Sequence, residues 1–289
     1  ILDYLKQFQN FNQKFDEVFV PKYMGQWIYS SLNQKCLTTP VFTKNTKIIY
    51  IYHQFGVPQK IHEIKKFASQ NKLIIIEDCA HILDGYVNQK DRVGYIGDFS
   101  IFSFSKFLNC YLLGGLRTDS SEFMNFLDNQ INQSSKTQSI INYILIKLAS
   151  SLKESNNFRK KLFNMNYSLY NFPSKHLNFL LNNFRSKIDK EIFLRSQRFE
   201  IVKKKLNHLK EMDYLQFDKL VLYKLPIVLD DNLKEKVKQR FDDENLLYEE
   251  MHFDVNRNIL NPKYQKVLII EIGSINKKFE KQIKIISEI

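Results

Sequence analysis

Leu73-Ile74-Ile75-Ile76 runs without a break into Glu77-Asp78. Four large aliphatic residues in a row, too few for a helix, suit a strand covered on both faces. Such a strand belongs in a parallel sheet with helices on either side, and its two acids then stand at the carboxyl edge. The neighbouring segments keep the same rhythm. Residues 47–52 (KIIYIY) are β-rich. Pro58 opens a helical stretch to residue 70, with Ile61, Ile64, Lys65 and Ala68 at helical spacing, and residues 99–104 form a further strand. Six of the eight glycines fall between residues 56 and 115, which concentrates tight turns and close backbone approaches there.

Beyond residue 120 the character changes, and glycine all but disappears until Gly273. Residues 121–165 read as helical. Residues 187–211 read as one long amphipathic helix with Phe199, Val202, Leu206 and Leu209 on a single stripe. A strand is expected at 221–229, a helix at 233–244, a strand at 267–272 and a closing helix at 279–289. The expected organisation is a large α/β domain over 1–120, a helical connection over 121–186 and a smaller α+β domain over 187–289.

Composition narrows the function. With 44% hydrophobic residues in 289, the chain is no disordered tail, collagen or small disulfide scaffold. The 43 Lys and Arg against 31 Asp and Glu leave a charge of +12, but only eight of the 43 are Arg, the forked donor that nucleic-acid sites favour. No RNP-like motif, helix-turn-helix signature or Arg cluster is present, so nucleic acid is not the expected partner. Cys36, Cys79 and Cys110 are odd in number and lack ligand spacing, which reads as reduced thiols in the cytoplasm and no metal site. No run of about 18 apolar residues is found, so no membrane span is expected.

The chemistry-bearing residues cluster. Asp78 and His81 follow the apolar strand, at the edge where open α/β sheets bind ligands. A turn cap at Asp78 and a space-filling His81 are the plainer alternative. The next strand delivers Ser103 and Lys106, and Gly114-Gly115 follows. Lys106 is the only lysine between Arg92 and Lys136. Asp242-Asp243-Glu244 and Glu249-Glu250 form no ligand pattern with His252 and read as a surface helix end. Arg195 and Arg198, one turn apart, suit either a diphosphate contact or a structural role.

In this order the motifs resemble the DegT/DnrJ/StrS family, sugar aminotransferases of fold type I that use pyridoxal 5'-phosphate. The matching pieces are residues 16–23 (DEVFVPKY), 53–58 (HQFGVP), 74–81 (IIIEDCAH) and 97–104 (GDFSIFSF), followed by Lys106. The resemblance implies a large domain with a mostly parallel sheet and a smaller C-terminal α+β domain. It implies that Lys106 is the amine that joins the cofactor and moves the proton, and that Asp78 faces the ring nitrogen. Ser103 then meets the phosphate, His81 lies beside the ring hydroxyl, and Tyr23 stacks on the ring. It further implies a nucleotide-linked keto sugar as substrate, glutamate as amino donor, a role in polysaccharide or amino-sugar biosynthesis, and a homodimer. The chain departs from the commoner pattern in its short Ser103 to Lys106 spacing, in Ser105, in Phe107 where Asn is usual, and in Leu113. Residues 1–8 look like the helix after the Gly-rich phosphate turn, so that turn is expected upstream of Ile1. A non-catalytic relative that acts by binding is the alternative reading.

Overall fold

A computed structural model describes the whole chain except residues 88–90, 109–112, 134, 153–156, 159–160, 163–180 and 274–276. The first part runs α1 (Leu2–Phe8), β1 (Glu17–Phe19), α2 (Gln26–Asn33), β2 (Leu37–Thr39), β3 (Thr46–Tyr52), α3 (Ile61–Gln70), β4 (Ile74–Asp78), β5 (Ile82–Gly85), β6 (Phe99–Ser103) and β7 (Gly114–Thr118). Six of these strands form one sheet in the order β2-β1-β3-β4-β6-β7. All neighbours are parallel except β7, which runs antiparallel to β6. This is the mostly parallel sheet that the apolar run implied.

β4 lies inside the sheet, between β3 and β6. Its successive side chains go to opposite faces. Ile76 joins Tyr4, Leu5, Val18, Ile48, Phe99 and Phe123 on one side, and Ile75 joins Phe19, Ile49, Ile51, Ile61 and Ile64 on the other. A strand with no solvated face has no position for a polar residue until its end, where Glu77 and Asp78 stand. The helix after β3 begins at Ile61, not at Pro58. The preceding residues are held instead by Arg257, whose side chain donates to the Pro58 carbonyl and whose own carbonyl accepts from Lys60 N–H.

The second part contains α4 (Ser121–Asn132), α5 (Lys136–Ser151), α6 (Phe184–Leu206), β8 (Leu220–Leu222), β9 (Lys224–Ile227), α7 (Asp231–Asp243), β10 (Glu249–Asp254), β11 (Tyr264–Glu271) and α8 (Lys277–Ser287). Of the stretch expected to be helical over 121–165, α4 and α5 are helices, and much of the rest lies outside the described residues. β10, β11 and β9 form an antiparallel sheet in that order. Phe199, Val202 and Leu206 of α6, Val237 and Phe241 of α7, and Phe279 and Ile283 of α8 close its core with Leu225, Val267 and Ile269.

The single strand expected at 221–229 is two strands in two sheets. β8 pairs antiparallel with β5, and β9 pairs with β11. The chain switches sheets at Tyr223, whose N–H turns to the carbonyls of Phe55 and His81, both at 3.0 Å. Both strands are apolar, so nothing in the pattern marks the break. Arg195 and Arg198 take the structural role. Arg195 donates to the carbonyls of Leu222 and Tyr223 and pairs with Glu191, while Arg198 donates to those of Ile272 and Gly273. Cys36 and Cys79 are free and buried, and Cys110 lies outside the described residues.

Candidate active site

The carboxyl ends of β3, β4 and β6 lie side by side and open onto a cleft of about 810 Å³. Tyr50 and Tyr52 come from β3, Asp78 from the end of β4, and Ala80 and His81 from the residues just after it. Ser103 ends β6, and Lys106 ends the short turn that follows. The opposite wall is built by Tyr223, Lys224, Glu249, Glu250, Met251 and His252. Asp78, His81, Ser103, Lys106 and Tyr23, all singled out in the sequence, therefore line one cavity.

Asp78 is 2% exposed at the cleft floor. Its carboxylate accepts from Tyr50 hydroxyl at 2.7 Å and from Ala80 N–H at 2.9 Å. Burial pushes its pKa up from the ordinary carboxylate value, against the opposing pull of Tyr50, Ala80 and the Lys106 charge. A buried carboxyl in that condition is stabilised by a further cation in the cleft. That is the chemistry of a protonated ring nitrogen.

His81 is gripped from both ends. Its Nδ1 lies 3.1 Å from Phe55 N–H and 2.9 Å from Tyr52 hydroxyl, and its Nε2 lies 2.8 Å from Lys106 Nζ. Tyr223 stacks beside the imidazole at 4.8 Å. The turn that aims Phe55 N–H is unusual: Phe55 has φ 58°, and Gly56 follows at φ 96°. A Cβ at Gly56 would meet the His81 carbonyl and lie 2.9 Å from Leu222 Cα, so only glycine fits. Burial, then the nearby charges of Lys106 and Lys224, hold the His81 pKa well below 6.5.

That depression fixes a sign. The unfolded chain takes up a proton at His81 as pH falls through about 6.5, and the folded chain resists it. The stability due to this site is therefore complete above that pH and is lost as pH falls toward the folded value. The loss is expected to reach up to about 1.4 kcal/mol per pH unit. Urea unfolding at pH 7.5 and 5.5 checks it. The fall in midpoint should be smaller in His81→Gln than in the unaltered protein, and equal falls would refute it.

Lys106 is an exposed residue on the cleft wall, with its amine end turned onto His81. Desolvation of the amine lowers its pKa, the Lys224 charge adds to this, and Asp78 opposes it. Ser103 and Ser105 hydroxyls are 3.1 Å apart. Tyr23 stacks on His252 at 4.0 Å and 7°, so this ring binds the two walls of the cleft together.

Glu77, next to Asp78, points the other way and is fully buried. Its carboxylate accepts from the N–H groups of Gly94, Ile96 and Gly97 and lies 3.2 Å from His53 Nε2. His53 Nδ1 accepts from Gln59 N–H, so the Nε2 proton faces Glu77. Burial would raise the Glu77 pKa, but the donors of His53, Gly97 and Gly94 outweigh it and hold it below the usual value. His53, Glu77 and Cys79 gather their ligand atoms within 4.8 Å. The lone pairs of His53 and Glu77 are already occupied by these hydrogen bonds, which makes the cluster a structural latch.

The model of the DegT/DnrJ/EryC1/StrS aminotransferase family matches residues 38–268. The chain belongs to this family. GDP-perosamine synthase of Vibrio cholerae is 31% identical over 108 residues, covering 31% of this chain and 29% of that protein. MJ1066 of Methanocaldococcus jannaschii is 42% identical over 62 residues, covering 22% and 16%. These matches span less than a third of either relative. Among solved structures, a DegT/DnrJ/EryC1/StrS aminotransferase from Brucella abortus superimposes with a TM-score of 0.61 at 13% identity, over 95% of this chain and 79% of that one. Helicobacter pylori PseC gives 0.60 at 13% identity, over 99% and 83%. The fold is that of the family's pyridoxal-phosphate enzymes.

Where the family commonly has Asn, Phe107 lies under the Arg195 guanidinium at 5.0 Å and meets Tyr223 edge-on. It packs the Lys106 turn against α6. The far wall was missed in the sequence. Glu249, Glu250 and His252 belong to β10 and face the cleft, not to a surface helix end as expected. The alternation Tyr50-Ile51-Tyr52 was a usable signal for two hydroxyls on one face. Nothing local marked Tyr223 or His252.

Proposed function

We propose that this chain is a pyridoxal-phosphate-dependent aminotransferase that transfers an amino group from glutamate to a nucleotide-linked keto sugar, in polysaccharide or amino-sugar biosynthesis. The convergence of Asp78, His81, Ser103 and Lys106 on one cleft carries this reading. Two similar proteins, a GDP-perosamine synthase and an aminotransferase of pseudoaminic acid biosynthesis, support the sugar substrate.

The cofactor supplies an electron sink for bond breaking beside the substrate nitrogen. Asp78 would hold the ring nitrogen in its protonated form. The Ser103 hydroxyl would take a phosphate oxygen, and His81 would lie beside the ring hydroxyl. Lys106 Nζ receives and returns the proton at the substrate carbon. Tyr23, expected to stack on the cofactor ring, is stacked on His252 instead, and the two rings close the side of the cleft. Borohydride reduction in the presence of pyridoxal phosphate is expected to place the pyridoxyl group on Lys106. Glutamate with a keto sugar nucleotide is expected to yield 2-oxoglutarate. Absence of both would favour the non-catalytic alternative.

The division at residues 120 and 186 is part of this proposal, supported by two separate sheets joined through β5 and β8. Free buried thiols at Cys36 and Cys79 support a cytoplasmic setting. No described helix is long and apolar enough to cross a membrane. A homodimer is proposed as well. Ile140, Ile141, Ile144 and Leu148 of α5 are each 42–52% exposed and share one side of the helix, a surface suited to a second copy. Light scattering should give twice the 34.5 kDa chain mass, and Ile144→Asp should shift it toward the monomer. A monomer in the unaltered protein would overturn this.

A further inference from the structure

The hydrogen-bond pattern around His81 allows one arrangement of protons, and that arrangement specifies the state of Lys106. The Phe55 backbone N–H can only donate, and it points at His81 Nδ1. Nδ1 therefore offers its lone pair, and the rotatable Tyr52 hydroxyl donates to the same atom. In a neutral imidazole the proton is then on Nε2. Nε2 lies 2.8 Å from Lys106 Nζ. An ammonium there would set donor against donor. The opposite tautomer relieves that contact only by setting its Nδ1–H against Phe55 N–H, which the fixed turn at Phe55 and Gly56 cannot rotate away.

We propose that His81 is a positioning residue that donates Nε2–H to the lone pair of Lys106 Nζ and so holds that amine uncharged before any cofactor arrives. Only an uncharged amine has the lone pair needed to attack a carbonyl carbon. The proposal rests on the reading of Lys106 as the cofactor-linking amine and adds how it is kept ready. The groups facing the pair are Asp78 from β4, Tyr52 from β3, Ser103 and Ser105 beside the turn, and Tyr223 and Lys224 from the far wall. The Tyr223 ring lies 5.2 Å from Nζ. Lys224 is itself paired with Glu249 and Glu271, so one positive charge faces the amine from that side, partly balanced. Asp78 is the carboxylate whose charge acts on the Lys106 amine, and burial pushes it toward its neutral form, while Glu249 and Glu250 lie on the far wall. The lowered pKa of Lys106, caused first by desolvation of the amine, agrees with the geometry.

The test uses the cofactor-free full chain. Nitrogen NMR of the histidine rings should show His81 protonated at Nε2 and bare at Nδ1, and the reverse would overturn the proposal. Reductive methylation with formaldehyde, followed by peptide mapping across pH, reads the uncharged fraction of each lysine. Lys106 is expected to reach half-maximal rate at least one pH unit below a lysine in a short model peptide, a tenfold larger uncharged fraction. Equal midpoints would overturn it. His81→Gln, whose amide can still donate, should keep the lowered midpoint, and His81→Ala should lose most of it. An unchanged midpoint in His81→Ala would mean that burial alone does the work, and the role of His81 would fall. Should His81→Ala fail to fold, the ring measurement on the unaltered protein decides. If these results hold and the pyridoxyl label still goes to another lysine, the function proposed above fails and this inference stands.

Discussion

Lys106→Ala is expected to lower turnover by about 10³-fold or more while leaving the fold in place. A positioned proton carrier contributes about 10²–10⁴-fold, and in the proposed function the same amine also anchors the cofactor. The structural cost is small by comparison. Lys106 is exposed, it ends a short turn and not a strand, and its Nζ has His81 as its hydrogen-bond partner. Circular dichroism and the urea midpoint should therefore stay near those of the unaltered protein. Lys106→Arg keeps a charge but has no usable lone pair near neutral pH, so it should be as inactive as alanine. Turnover within tenfold of the unaltered enzyme in either variant would remove Lys106 from its role. A small primary amine in the buffer should restore part of the activity to Lys106→Ala and none to Lys106→Arg, which fills the space.

The largest expected loss of stability is at Glu77. Three backbone N–H groups and the His53 ring converge on its carboxylate inside the protein. Glu77→Ala leaves all of those donors without an acceptor, and removing one partner of a buried charged network costs about 3–5 kcal/mol. That is a large share of a typical total of about 5–15 kcal/mol. Glu77→Gln is expected to do almost as badly, because its NH₂ would face donors already in place. Urea unfolding measures both. A loss below about 1 kcal/mol in Glu77→Ala would show that the loop over 94–97 is held by other contacts. The same loop leads into β6, so a loosened latch also misplaces Ser103 and Lys106.

The parts of the fold legible in the sequence are those with a local signature. β3, α3, β4 and β6 announce themselves through burial on both faces or through helical spacing. The large-domain half of the cleft was legible because Asp78, His81, Ser103 and Lys106 follow strand ends directly. The far wall was not. Tyr223 reaches His81 only because the chain changes sheets there, and a change of sheet between two apolar strands leaves no mark on hydropathy. Glu249 and Glu250 stand on a strand edge open to the cleft, where charges are tolerated, and their composition resembles any exposed helix. His252 owes its position to Tyr23, a residue some 230 positions earlier. Such pairings are decided by tertiary contact and not by neighbours in the chain.

The β5–β8 pairing bears on how the protein is made. Ile82 meets Leu222, about 140 residues later. A ribosome adding about 5–20 residues per second needs roughly 7–30 s to cover that distance. All six strands of the main sheet have by then been synthesised, whereas β5 waits with an open edge, and the carbonyl of His81 waits for Tyr223 N–H. Closing so long a loop is slow in its own right. A nascent chain paused before residue 220 would thus carry the sequence of the whole sheet but an unfinished histidine site, and a sticky strand edge for chaperones to cover until the second half emerges.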